Sequence, residues 1–474
     1  MSEAPLHPIN FGQLRSILHS SPPSVDLWDK LHRVFPEGCC HDREEMTYLE
    51  GHISKWHASI ERWIPEGWYT RPLSRFAPLC ALANTFELGY DHLEDTELRS
   101  LAIAEQLANL TALALPGNDI TDHGVSLLCA SDTMTRLERL KLDHNRIGDA
   151  GASSIAHSET LANLRTLDLP GNRVTDKGAS AIAASPHLTQ LERLDLSFNR
   201  GMGIGGVEAI AASSSLSGLK KLLLWSLVLG EQGVRAILSS RTLTALTHLN
   251  LEENDLGPEG AIPFRDHHPR FRLESLELSS NVLGEDGACA LAQAASLSGL
   301  SRLTLIGNDI GDRGVSALAT SVNLENIAYL DLGLNAFGID GAIAIAQTES
   351  LPAIETLLLA YNSIGDEGVE ALATSRGLTT LRELSLCNNY LTDDGVEALL
   401  DSAAFPNLRR LDLSENDEIT DTSAHMLARS EAISNLEELD LSATGISREG
   451  VDALLGSATI GEALKRQIAD NFTS

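Results

Sequence analysis

Apolar and polar positions alternate in one fixed phrase, L-x-x-L-x-L-x-x-N-x-(I/L)-(G/T)-D-x-G, that returns about every 27 residues. Around Asn362 it reads Ile354, Leu357 and Leu359, then Ile364 and Gly365-Asp366-Glu367-Gly368, then Val369-Glu370-Ala371-Leu372-Ala373. The alternating leucines predict a short strand, and the Val369 run predicts an amphipathic helix. Each unit is therefore strand, tight turn, helix and return loop. One such unit cannot bury its own apolar face, so neighbours must stack into a solenoid.

The asparagine of the phrase occurs eleven times: Asn118, Asn145, Asn172, Asn199, Asn254, Asn281, Asn308, Asn335, Asn362, Asn389 and Asn416. One extra residue enters after Asn199 and another after Asn416. A carboxamide has donors and acceptors, so it can satisfy backbone groups of its own turn and of the adjacent loop. Extending the frame places Asp91 and Thr444 in this slot at the ends, and Leu227 in the middle. About 14 repeats result, spanning 79–456. Atypical end repeats are ordinary beside caps, whereas Leu227 is an interior exception.

Residues 1–78 do not repeat, and they hold four of the five tryptophans: Trp28, Trp56, Trp63 and Trp68. They read as a mostly helical cap or small interaction domain over the first repeat, and 457–474 as a C-terminal cap around Ala463, Leu464 and Ile468. Open solenoid ends would otherwise expose leucines.

Charge changes the picture next. The net charge is -31. Residues 1–78 hold 8 Lys/Arg and 10 Asp/Glu, so nearly all the excess belongs to the repeats. Such acidity argues against nucleic-acid backbone binding. It fits solubility and leaves a basic protein as a partner. Part of it is architectural, because ten repeats carry an acid two residues before the helix-opening glycine position, among them Asp122, Asp149, Asp176, Asp312, Asp366 and Asp393. There an acid is expected to cap the helix or offset its dipole. The six cysteines show no disulfide spacing, no basic-apolar leader opens the chain, and no run reaches membrane-spanning length. A cytoplasmic protein is expected, with signal-independent export left open, and no membrane partner. The oligomeric state is not legible.

The phrase and its G-(A/V)-x-A-(L/I)-A helix, together with segments such as Ala183-Ala184-Ser185-Pro186-His187-Leu188 before Leu191, Leu194 and Leu196, resemble leucine-rich repeats of the ribonuclease-inhibitor-like type, in particular bacterial G-A-L-A-like repeats. The resemblance covers about four fifths of the chain. It implies an α/β right-handed solenoid (a horseshoe) with a parallel β-sheet on the concave side and helices on the convex side. It is weakly specific for activity. It implies a non-catalytic protein-binding scaffold, with a bacterial effector or ubiquitin-ligase adaptor and an inhibitor of a basic enzyme as alternatives. The F-box pattern of G-A-L-A effectors is not convincing in 1–78, and the chain lacks the cysteine richness of the namesake inhibitor.

Residues between the strand leucines would face the concave side. Those slots give Phe198, Leu223 and Trp225 in two adjacent repeats, and Ile306, Tyr329, Leu334, Leu358 and Tyr361 in three others. Acids surround them: Asp168, Asp195, Glu252, Glu253, Glu277, Asp331, Glu383, Asp412 and Glu415. Aromatic residues with a charged surround match protein-binding hot spots. Single exposed apolar residues are also ordinary.

No catalytic residue, metal ligand or cofactor is expected. Gly201-Met202-Gly203-Ile204-Gly205-Gly206 fits G-x-G-x-x-G, but its last glycine is the one that opens the helix of every repeat, and no acid follows at the expected distance. Cys39, Cys40 and His41, near His52 and His57, fit common zinc spacings poorly. Pro263, Asp266-His267-His268 and Pro269 predict a broken helix in one repeat.

Overall fold

The computed structural model describes residues 83–473 except 91 and 403, together with Leu18, Ser24, Asp26, Leu27, Leu31, Leu49 and Ile53. The slot at Asp91 and the groups at Cys39–His41, His52 and His57 lie outside the described residues. Leu18, Leu27, Leu31, Leu49 and Ile53 are helical and buried.

Two compact units divide the chain, Met1–Leu219 and Lys220–Ser474. The first contains strands β1 (Thr85–Glu87), β2 (Ala112–Ala114), β3 (Arg139–Lys141), β4 (Thr166–Asp168) and β5 (Arg193–Asp195). The second contains β6 (Lys221–Leu223), β7 (His248–Asn250), β8 (Ser275–Glu277), β9 (Arg302–Thr304), β10 (Tyr329–Asp331), β11 (Thr356–Leu358), β12 (Glu383–Ser385), β13 (Arg410–Asp412) and β14 (Glu438–Asp440). Within each unit every strand pairs in parallel with the next, residue on equivalent residue. A helix follows every strand. Each unit is a parallel-sheet solenoid with strands on one face and helices on the other.

The strands are short because their middle leucine alone must face inward. Leu330, Leu357 and Leu384 are buried, and so are the leucines two positions on, Leu332, Leu359 and Leu386. Helical Val315, Leu318, Val369 and Leu372 close the same core. Repetition of one thin layer explains why, among the described residues, only Phe86, Phe264 and Phe337 are fully buried aromatic rings.

Asparagine joins the layers. Asn308 is fully buried. Its Nδ2 donates to the Leu278 and Leu305 carbonyls at 3.0 Å each, and its Oδ1 accepts from the Asn281 and Leu283 N–H groups at 3.1 and 3.3 Å. One side chain thus serves two turns. In the repeat where Leu227 takes this slot, Asn254 of the next repeat accepts from the Leu227 and Leu229 N–H groups and donates to the Leu224 carbonyl. Leu227 is buried, so leucine fills the slot by packing while the neighbouring ladder residue satisfies the backbone.

The acids before the helix-opening glycines stand in the first turn of their own helices, and several of them also bond across to the next repeat. Thr175 caps its own helix, accepting from the Lys177 N–H. Asp149, one repeat earlier, accepts from the Thr175 and Gly178 N–H groups at 2.8 and 2.9 Å and from the Thr175 hydroxyl at 2.7 Å. Asp122, Asp312, Asp366 and Asp393 do the same for the helices after them. Each carboxylate fills the electropositive end of a neighbouring helix.

One local expectation changes, and another gains a partner. The helix Gly257–Asp266 runs through Pro263, and the irregular stretch starts only at His267. Pro263 and Phe264 are buried, and their packing offsets the missing hydrogen bond. The glycine motif holds an internal anion: the Gly203 and Gly206 N–H groups donate to Asp176 Oδ1 at 2.7 and 2.9 Å. At the C terminus the helix Glu462–Thr473 covers β14, with Leu464 and Ile468 buried and Gln467 Oε1 accepting from the Leu439 N–H.

Candidate functional site

The residue before each ladder position adopts a left-handed backbone. Glycine occupies it at Gly117, Gly171 and Gly307, with φ of 64°, 66° and 65°. Other repeats put larger residues there: His144, Phe198, Leu334, Tyr361 and Glu415, with φ between 52° and 58°. A side chain in this region is sterically disfavoured by roughly 1–2 kcal/mol. The turn explains the geometry. The backbone must reverse between a strand and an asparagine whose side chain points back into the layer. Side chains in this row lie over the next repeat: a Cβ on Gly171 would come within 2.4 Å of His144 Nδ1, and one on Gly117 within 2.3 Å of the Tyr90 ring.

Leu334 and Tyr361 stand in this row on consecutive repeats, 53% and 41% exposed. The Tyr361 hydroxyl donates to Glu415 Oε1 at 2.6 Å, two repeats away, and Asn388 Nδ2 donates to Glu415 Oε2 at 3.1 Å. The bond to Glu415 pushes the tyrosine hydroxyl up to about 12. The Tyr361 and Asn388 bonds together lower the Glu415 carboxyl from its ordinary value.

These two residues rim a depression of about 480 Å³ on the strand face of the second unit. Ile306 and Leu358 line it with them. Gly333, Ala360 and Ser385 leave the space open, because their small side chains sit where larger ones would fill it. Asp331, Glu383, Asp412, Glu438 and Asp440 supply acid, and Arg410 is the single base in the lining. Arg410 Nη2 pairs with Glu383 Oε2 at 2.6 Å.

Ile306, Leu334, Leu358 and Tyr361, picked out by strand slots, therefore meet. Tyr329 is half-buried and does not line the depression; the Arg302 guanidinium lies 3.4 Å from its ring centroid. Glu438 and Asp440 escaped sequence reasoning, although carrying the strand frame one repeat past Asp412 reaches them. Leu223 and Trp225 are half-buried in the second unit, and Phe198 is half-buried in the first with Arg200 5.1 Å from its ring centroid. Glu252 accepts from the Asn250 side chain, which also bonds Glu277.

Several acids of the strand face are tied into structure. Arg193 bonds Asp168 at 2.9 Å and Asp195 at 3.2 Å, and both carboxylates are buried. Asp195, Asp331, Asp412 and Asp440 each accept from the N–H two residues on, which fixes the turn leaving the strand. Burial raises the Asp168, Asp195 and Asp331 carboxyls above their ordinary value. Among the described residues, no three His, Cys, Asp or Glu side chains are placed to hold a metal ion, and no helix is long and apolar enough to cross a membrane.

The family model described as Leucine Rich repeat matches eleven segments: 106–129, 133–156, 160–183, 187–211, 242–264, 273–292, 300–319, 352–373, 377–400, 406–428 and 432–455. Together they make up a little over half of the chain. The chain belongs to the leucine-rich-repeat family. Leucine-rich repeats continue through the unmatched stretches 212–241 and 320–351, where β6 and β10 each pair with the following strand. Among solved structures, an internalin (inlF) from Listeria monocytogenes is 20% identical, with 84% of this chain and 99% of that one covered and a TM-score of 0.44. The TLR13–ssRNA13 complex gives 20% identity, 79% of this chain, 52% of that one and a TM-score of 0.48. The Rad7–Elc1 complex of yeast gives 18%, 76%, 81% and 0.46. No curated protein matches the chain.

Proposed function

We propose that this leucine-rich-repeat protein is a non-catalytic scaffold that holds a protein partner on the strand face of its second unit. The observation that carries the reading is the pair Leu334 and Tyr361: large, exposed side chains on consecutive repeats, in a left-handed row that holds glycine at Gly117, Gly171 and Gly307 and small or polar residues such as Ser226, Ser280 and Asn388 elsewhere. The left-handed turn belongs to every repeat and accepts glycine or serine, so the turn itself needs no large side chain there. Around them lie apolar Ile306 and Leu358 and a ring of acids, an apolar centre with a charged rim. The net charge of -31 favours a basic partner. Leu223, Trp225 and Glu252, and Phe198 in the first unit, are further candidate contacts.

In the same reading, residues 1–78 and 457–474 cap the repeats of 79–456, and the protein works in the cytoplasm. The helix Glu462–Thr473 supports the C-terminal cap, since it satisfies an N–H of the last strand.

The test is affinity capture with mass spectrometry, comparing wild type with Leu334→Gly combined with Tyr361→Asn. Both replacements suit a left-handed backbone, so the fold is kept. Binding of the retained partner should weaken at least about tenfold. If the double variant retains the same partner with the same affinity, this face is not the binding site.

A further inference from the structure

The depression has two chemically different halves. The register sets Asp331, Leu358, Ser385, Asp412 and Asp440 side by side on five successive strands. Over β9 to β11 the large lining residues are Ile306, Leu334, Leu358 and Tyr361, with Asp331 the one acid, buried and bonded to the Gly333 N–H. Over β12 to β14 it is Glu383, Asp412, Glu438 and Asp440 with Arg410. Arg410 is ion-paired with Glu383, and it also stands opposite Glu438 on the next strand and feels its charge. Among the described residues, Asp412, Glu438 and Asp440 form no ion pair; Asp412 and Asp440 bond only hydroxyls, N–H groups and the Asn471 amide. Asp412 and Asp440 face each other across one strand spacing, and Glu438 is exposed on the same strand as Asp440. A cation seated there would meet three carboxylates, two of them, Asp412 and Asp440, with no ion-pair partner among the described residues and the third, Glu438, sharing only the field of Arg410.

We infer that the depression takes an extended peptide segment of the partner carrying a bulky apolar residue and, four positions along, a lysine or arginine. The spacing follows from the strands. The centre of the apolar half, between β10 and β11, lies three strand intervals from the acid pair between β13 and β14. At ~4.8 Å per interval this is about 14 Å. An extended chain rising ~3.4 Å per residue covers that distance in about four residues. Four is even, so both side chains leave the same side of the segment. The apolar residue lies against Leu334, Leu358 and Tyr361, and the cation reaches Asp412, Glu438 and Asp440. This rests on the reading of the strand face as the binding face and specifies what the face recognises.

The probes are fluorescein-labelled nonapeptides of alanine and serine bearing Leu and Arg four positions apart, the same pair two positions apart, and Leu with Glu in place of Arg. Fluorescence anisotropy against the full chain should show the four-apart peptide binding about tenfold tighter than either of the others, with affinity falling as salt rises. Glu438→Gln alone should weaken that peptide several-fold, and Glu438→Gln with Asp440→Asn about tenfold, while Glu367→Gln on the helix face leaves it unchanged. Circular dichroism melts establish that the variants fold. Equal binding of the three peptides, no binding of any, or indifference to Glu438→Gln overturns the inference. If partner capture still depends on Leu334 and Tyr361 after such a result, the scaffold reading stands and only the proposed recognition sequence falls.

Discussion

A single asparagine decides more of the backbone here than a single leucine does. Asn308→Ala leaves the Asn281 and Leu283 N–H groups without their acceptor inside a dry layer. Each unsatisfied group costs about 1–3 kcal/mol, so the variant should lose about 3 kcal/mol or more in urea unfolding. The left-handed row behaves in the opposite way. Leu334→Gly removes backbone strain and an exposed side chain, and the flexibility of glycine in the unfolded chain offsets part of the gain. Its stability should stay within about 1 kcal/mol of wild type while partner binding falls, a separation that a core truncation cannot produce. Gly171→Ala must lose stability, since its Cβ would meet the His144 ring and φ is 66°.

At the scale of elements, the coupling between successive helices runs through carboxylates. Burial pushes the Asp393 carboxyl up, but the Ser423 and Thr420 hydroxyls and N–H groups together outweigh it and hold the group below its ordinary value. Asp149 is lowered in the same way by Thr175 and Gly178 against its burial. A carboxyl lowered on folding contributes stability that is present above its unfolded value, about 3.9, and is lost as pH falls through the folded one. Asp393→Asn should therefore lower the melting temperature at pH 7, and the gap to wild type should close below about pH 3.8. Asp168, Asp195 and Asp331, raised by burial, have the opposite sign and weaken the fold slightly as pH rises through their folded values. Sequence reasoning placed Asp149 and Asp393 at helix starts. It related each to its own helix, where each does occupy the first turn, and missed the bonds to the next helix because a one-dimensional pattern cannot show which neighbouring backbone a side chain reaches.

Over the whole molecule, ends and charge matter most. Removing residues 457–474 uncovers β14 and the apolar groups under Leu464 and Ile468. The truncated protein should associate in a concentration-dependent way, readable by light scattering, because an open strand edge is a template for pairing. With 66 acidic against 35 basic residues, binding of a basic partner should weaken as salt rises from 50 to 300 mM, mainly through a slower on-rate.

The repeat, its strands and helices, the asparagine ladder and seven of the residues lining the depression (Ile306, Asp331, Leu334, Leu358, Tyr361, Glu383 and Asp412) were legible from the 27-residue period. A solenoid makes that possible, since each layer touches only its neighbours and one phrase carries both the local structure and the packing. The tertiary structure alone decided what depends on side chains brought together from several layers. The chain could not reveal that Asp168 and Asp195 are bound by Arg193, or that Tyr361 reaches Glu415 two repeats on. It could not reveal that Gly333, Ala360 and Ser385 leave a depression open. Nor could it show that Leu334 and Tyr361 stand on a left-handed turn. Period determines which face a residue is on; only stacking determines what stands beside it and how much room it leaves.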